Sequence, residues 1–122
     1  MGYRSEVIFG VRKDSREKID KVLKEYNLHK SFKWYEKTYD CTEYDESNNF
    51  KVKQTDYWII YTEDWLKWYD EYEDVRAINE CIDELEGKGF MVALGEDNVI
   101  HSEIGEWYDY VNHISKLEIN NN

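Results

Sequence analysis

Proline is missing from this chain altogether, and cysteine occurs only twice in its 122 residues. Without proline there is no Pro-rich linker or tail to read. Two cysteines with no CxxC and no Cys/His cluster give no zinc signature, so neither a metal nor any other cofactor is expected. No apolar run approaches the roughly 20 residues that span a bilayer. A charged content of 35% points the same way. No basic-then-apolar leader is visible, so export is not expected and both thiols should be reduced. The phosphate loops GxGxxG and GxxxxGK followed by Ser or Thr are absent, as are the serine-nucleophile patterns GxSxG and SxxK. Basic charge is scarce too: 16 Lys+Arg stand against 27 Asp+Glu, for a net charge of −11.

What is present is a single core's worth of apolar material, at 41% hydrophobic and 16% aromatic residues. The length fits one domain over residues 1–122, with a frayed tail at 120–122. The charge is polarised along the chain. Residues 1–37 carry ten Lys+Arg against six Asp+Glu, and residues 38–122 carry six against 21. Such a field repels nucleic-acid backbones, which need Lys and Arg to displace their counterions, and it speeds association with a basic protein surface. The plainer reading is that acidity only keeps the protein soluble.

The periodicities predict an order of elements. Tyr3–Val11 reads as a first strand. Asp14 and Glu17 have capping-box spacing, and Ile19, Val22, Leu23 and Tyr26 mark one face of a helix ending near Asn27. Phe32–Thr42 and Phe50–Thr62 read as strands of a long hairpin, with Asn48-Asn49 as a turn signal. Val75, Ile78, Ile82 and Leu85 mark a second helix, ended by Gly87 and Gly89. Phe90–Leu94 is a fourth strand, residues 95–98 a turn, and Val99–Ile104 a fifth strand. Residues 107–119 are ambiguous and lean toward a final strand. The order β-α-β-β-α-β predicts an α+β fold of ferredoxin-like type. An antiparallel sheet would carry two helices on one face and extra C-terminal strand material. The other face would be open or partly covered.

The most distinctive stretch is residues 63–74. Six carboxylates (Glu63, Asp64, Asp70, Glu71, Glu73 and Asp74) interleave there with Trp65, Trp68, Tyr69 and Tyr72, and Lys67 is the lone cation. Aromatics supply most interface hot spots, and carboxylates match Arg-rich partners. Asp64, Trp65, Trp68, Asp70, Glu71, Glu73 and Asp74 are therefore the candidate partner-binding residues. The competing reading puts the aromatics in the core and the acids at the second helix's N-terminus, where the dipole favours them.

A second candidate set is Arg4, Arg12, Lys13, Tyr57 and Trp58. Cations just before a helix N-terminus, with aromatic faces nearby, can hold a nucleotide by phosphate pairing and stacking. A solvated turn is the competing reading. His101 and Glu103, two apart on a strand, would share a face as an acid/base or metal pair, but no third ligand appears at a diagnostic spacing. His29 and His113 have no partner pattern. Cys81 reads as a small core residue. Cys41 stands among Asp40, Glu43 and Asp45, whose charges disfavour a thiolate.

Two stretches carry a resemblance. The chain opens Met1-Gly2-Tyr3-Arg4-Ser5, and Trp65-Leu66-Lys67-Trp68-Tyr69 forms a WxKWY segment before the second helix, with Leu94-Gly95-Glu96-Asp97 further on. Together these resemble small proteins of bacteriophages and prophages. The resemblance implies a viral or prophage setting, the cytoplasm of a bacterial host, and inhibition of a host defence. It carries no catalytic residue across. On that basis the chain is expected to be a non-enzymatic inhibitor of a host defence protein, anti-CRISPR-like, with charge that imitates nucleic acid. The alternative is a sponge for a signalling cyclic nucleotide, closed by dimerisation.

Overall fold

The computed structural model describes residues 3–45, 50–113 and 117–119. The Asn48-Asn49 turn and the 120–122 tail fall outside them. Strand β1 (Ser5–Arg12) leads through a 3-10 turn at Lys13–Ser15 into helix α1 (Arg16–Glu25). A long hairpin follows, β2 (Lys33–Asp45) and β3 (Phe50–Leu66), then helix α2 (Glu73–Glu84). Strands β4 (Gly89–Gly95) and β5 (Ile100–Ile104) complete a five-stranded sheet in the order β2-β3-β1-β4-β5, antiparallel throughout. After a second 3-10 turn (Trp107–Asp109), β6 (Val111–His113) and β7 (Leu117–Ile119) pair in a small sheet of their own. This is the expected α+β, ferredoxin-like arrangement with added C-terminal strands. No helix among the described residues is long and apolar enough to cross a membrane.

Alternation along the strands sorts two cores. Val7, Phe9 and Val11 of β1 face α1 and α2, beside Ile59 and Tyr61 of β3 and Met91 and Ala93 of β4. Ile19 and Leu23 from α1 and Val75, Ile78 and Ile82 from α2 close that side. Ile8, Trp58, Ile60, Phe90, Val92 and Leu94 point the other way. That second face is covered, not open. Val111 and Leu117 are buried on it, with Trp107, Tyr110 and Ile119 packed around them. The described residues of 107–119 are therefore a turn and two paired short strands, not one strand, and their apolar positions serve as a lid. Phe90 packs on Trp58, with ring centroids 5.5 Å apart, and on Tyr110, stacked at 4.8 Å, and those two rings also meet each other at 4.8 Å. Gly10, opposite Phe90 in the register, makes room for it: a Cβ there would come within 2.5 Å of the Phe90 ring.

The local ends differ from expectation in two places. The Asp14–Glu17 capping box does not form, because residues 13–15 wind as a 3-10 turn and α1 begins at Arg16 with Ser15 as an N-cap that makes no side-chain hydrogen bond to the helix. At the other end Asn27 adopts φ 58°, and Leu28 N–H and Asn27 N–H donate to Leu23 and Lys24 carbonyls at 2.7 and 3.1 Å. That is a Schellman closure with asparagine in the left-handed position. Strand β3 runs four residues past Thr62, because Val7 and Ser5 of β1 still offer ladder partners to Glu63 and Leu66.

Trp58 and Tyr57 test this division of faces. Trp58 is 2% exposed and Tyr57 55%. Trp58→Ala should lower unfolding stability by about 3–5 kcal/mol, while Tyr57→Ala should stay within about 0.5 kcal/mol. Urea denaturation of both variants checks it, and equal losses would show that the second face is not sealed.

Candidate functional site

Both Leu66 of β3 and Gly95 of β4 pair with Ser5. The chain leaving β3 and the chain leaving β4 therefore emerge side by side at the Ser5 end of the sheet. The 63–74 segment divides into the end of β3, a loop over residues 67–72, and the first turn of α2. Its aromatics and acids separate. Trp68 is 3% exposed and meets Phe32 edge-on at 6.2 Å in the helix-side core. It anchors the loop and does not reach the surface as an interface residue. The Trp65 side chain lies outside the described residues. Asp64, Asp70, Glu71 and Glu73 are exposed. Half-buried Asp74 accepts the Val75 backbone N–H at 2.8 Å, and Glu73 accepts the Tyr26 hydroxyl at 3.2 Å.

Sequence reasoning missed the residue that fastens this end. Tyr3 donates its backbone N–H to the Tyr69 hydroxyl at 2.8 Å and its own hydroxyl to the Asp97 carboxylate. Gly95 lies directly beneath that hydroxyl, where a Cβ would collide with it. Glu96 N–H donates to the Arg4 carbonyl at 3.0 Å, and Arg4 N–H to the Glu96 carboxylate at 3.3 Å. Exposed Glu96 and Asp97 thus join Asp64, Asp70, Glu71 and Glu73 at one end of the fold. Only the turn signal at 95–98 was visible beforehand. Nothing local in the sequence ties it to Tyr3, 94 residues away.

The second candidate set is not brought together. Arg4 stands at the Ser5 end of β1, away from Arg12 and Lys13. Trp58 is buried under the C-terminal lid, on the face opposite Tyr57. Arg12 pairs with Asp56 at 3.2 Å and lies over the Trp58 ring at 5.8 Å. Lys13 pairs with Glu36 at 3.4 Å. Arg16, a further cation of this basic stretch, bonds Asp20 at 3.1 Å and covers the exposed Trp34 ring at 3.9 Å. Each of these three cations already faces a carboxylate, so none of the three offers an anion uncompensated positive charge.

His101 and Glu103 do not share a face. A bulge between Ala93 and Leu94 inserts an extra residue in β5, and the alternation flips there. His101 Nε2 lies 2.6 Å from buried Ser5 Oγ and its ring meets Tyr3 edge-on, whereas Glu103 accepts the Trp107 indole N–H at 2.9 Å. His29 is exposed, and the His113 and Cys41 side chains lie outside the described residues. Cys81 is half-buried on α2, its thiol pKa raised by burial first and by Glu84 second. No group of three potential metal ligands occurs among the described residues.

No family model matches the chain, and no curated protein matches it in sequence. A solved phage SAM lyase in complex with S-methyl-5'-thioadenosine is similar in fold. It shares 10% identity at a TM-score of 0.45, over 86% of this chain and 92% of that one. The expectation of a non-enzymatic chain is corrected here, since the solved protein it is similar to is a lyase. At that level of similarity the match assigns no activity and no residue role to this chain.

The Tyr3–Asp97 bond sets a pH dependence at both extremes. The hydrogen bond from Tyr3, more than any other influence, holds the Asp97 pKa below its ordinary 3.8. Its contribution to stability is present above the ordinary carboxylate range and is lost as pH falls through the lowered value. The same bond, then burial and the charges of Asp97 and Glu96, push Tyr3 up from 10.0 to about 12. That contribution is present below pH 10 and lost as pH rises toward 12. Tyr3→Phe should reduce both limbs of a stability–pH profile measured by urea denaturation by the share that this pair contributes. A profile unchanged by the substitution would remove Tyr3 as the fastening residue.

Proposed function

We propose that the protein serves a bacteriophage or prophage by countering a host defence. It would do so by laying its acidic end on a basic surface of a host protein. The observation that carries this reading is the gathering of Asp64, Asp70, Glu71, Glu73, Glu96 and Asp97 at the Ser5 end of the sheet. Tyr3 joins the 67–72 loop to the 95–98 turn. Carboxylates held by a fixed scaffold need little ordering on binding, and a field of one sign steers an oppositely charged partner. The surface would meet groups on the host protein that otherwise meet nucleic-acid phosphates. Half-buried Tyr69 and exposed Tyr72, edge-on at 5.1 Å, supply aromatic area among the acids.

The nucleotide-sponge reading draws less support, because Arg12, Lys13 and Arg16 are all ion-paired and Trp58 is buried.

The test is plating efficiency of a restricted phage on defended bacteria that express the protein. The native chain should raise plating, and the combined Asp70→Lys, Glu71→Lys and Glu73→Lys variant should lose the gain at equal expression. No gain on any defended strain would overturn the anti-defence reading, and a gain kept by the variant would remove the acidic end from it. Incubation with SAM, followed for release of S-methyl-5'-thioadenosine, separates the routes. Release would assign the effect to chemistry and not to coverage of a basic surface.

A further inference from the structure

Helices α1 and α2 lie side by side on the sheet, and an open groove of about 420 Å³ runs between their outer faces. Its two walls carry opposite charge. Lys18 and Lys21 stand one turn apart on α1, and Glu80 and Glu84 one turn apart on α2, all four exposed. The floor is apolar: half-buried Val22, Ala77 and Cys81, with Leu85 beneath. Lys18 and Glu84 both act electrostatically on the Cys81 thiol, so the two walls reach the floor from either side. Among the described residues no Lys–Glu ion pair closes the groove, in contrast to the three pairs at Arg12, Lys13 and Arg16. Like charges one helical turn apart repel. Each wall therefore presents two like charges together to a counter-charge placed between the helices.

We propose that this groove binds a small amino-acid-type zwitterion. Its carboxylate would lie at Lys18 and Lys21, its ammonium at Glu80 and Glu84, and its apolar side chain over Val22, Ala77 and Cys81. The volume lies within the range of small-molecule clefts, roughly 300–1,000 Å³. A ligand with one charge only would match one wall and leave the other unmatched. A ligand with both charges matches the walls together, so the arrangement selects zwitterions over either half of one. The groove is separate from the acidic Ser5 end, and the proposal stands or falls independently of the anti-defence reading.

The reactivity of Cys81 reports on the floor. In a Cys41→Ser background, L-leucine should slow reaction of Cys81 with a thiol reagent in a saturable way. Isopentylamine, which lacks the carboxylate, and 4-methylpentanoate, which lacks the ammonium, should each need about tenfold higher concentration for the same protection. Lys21→Glu and Glu80→Lys sit at exposed helix positions and should each abolish protection by leucine. Exchanging the walls outright, with Lys18→Glu, Lys21→Glu, Glu80→Lys and Glu84→Lys together, should restore it, because the zwitterion then binds reversed. The proposal is overturned if leucine gives no protection, if either half-molecule protects equally well, or if Lys21→Glu leaves protection unchanged.

Discussion

The contact on which this fold most depends is Phe90 lying across Gly10. A sheet with two helices on one side buries that side whatever the other does. Here the second side is also sealed, because the central strand carries no side chain where the Phe90 ring crosses it. Phe90 then offers a flat face to Tyr110, with ring planes within 6° of parallel, and Trp58 packs on both. Once those rings are stacked, the C-terminal hairpin has a surface to bury Val111 and Leu117 against. Burial of a side chain of this size contributes about 1.5–3 kcal/mol. A two-stranded ribbon alone is marginal in water, so the small β6–β7 sheet owes its place to the aromatic layer beneath it.

Sealing both faces has a consequence for where recognition can occur. The middle of the sheet is unavailable, which leaves its two ends, its edges and the outward sides of the helices. The two ends of β1 differ in kind. At the Arg12 end Arg12, Lys13 and Arg16 are each neutralised by a carboxylate. At the Ser5 end acids accumulate beyond the reach of those cations, seven residue steps along the strand from Arg12, or about 23 Å. Exposed carboxylates crowd at modest cost because the helix dipole at the start of α2 and the hydroxyls of Tyr3 and Tyr26 each offset part of the repulsion.

Much of this was legible in the sequence, and the exceptions have physical causes. Periodicity located both helices and their buried faces, since Ile19, Leu23, Ile78 and Ile82 recur at the helical repeat and nothing competes with that signal. Strand order followed from element order. The end of β3 was misjudged because Glu63 and Asp64 look like loop residues, while the ladder partners that extend the strand lie some 60 positions earlier in β1. His101 and Glu103 were placed on one face by strict alternation, and a single bulge residue overturns that inference. Trp68 shows the limit of composition: among acids it looks like an interface residue, yet Phe32 holds it in the core. The fastening role of Tyr3 was invisible because it depends on two partners, Tyr69 and Asp97, that only the fold brings together.

The acids at the start of α2 have two explanations that act at once. A carboxylate in a helix's first turn stabilises the helix by about 0.3–1 kcal/mol through the dipole. That suffices to account for Glu73 and for Asp74, whose oxygen also takes a backbone N–H. It does not account for Asp70 and Glu71, which precede the helix, are exposed, and have no side-chain hydrogen bond or ion pair among the described residues. Nor does it account for Glu96, whose turn belongs to another part of the chain. Structural need therefore explains the acids of the helix's first turn, and it also explains Glu96 and Asp97, which accept the Arg4 N–H and the Tyr3 hydroxyl. Among the described residues Asp70 and Glu71 are exposed with no such side-chain contact, so a basic partner at the Ser5 end could pair with them without breaking a bond that the fold uses.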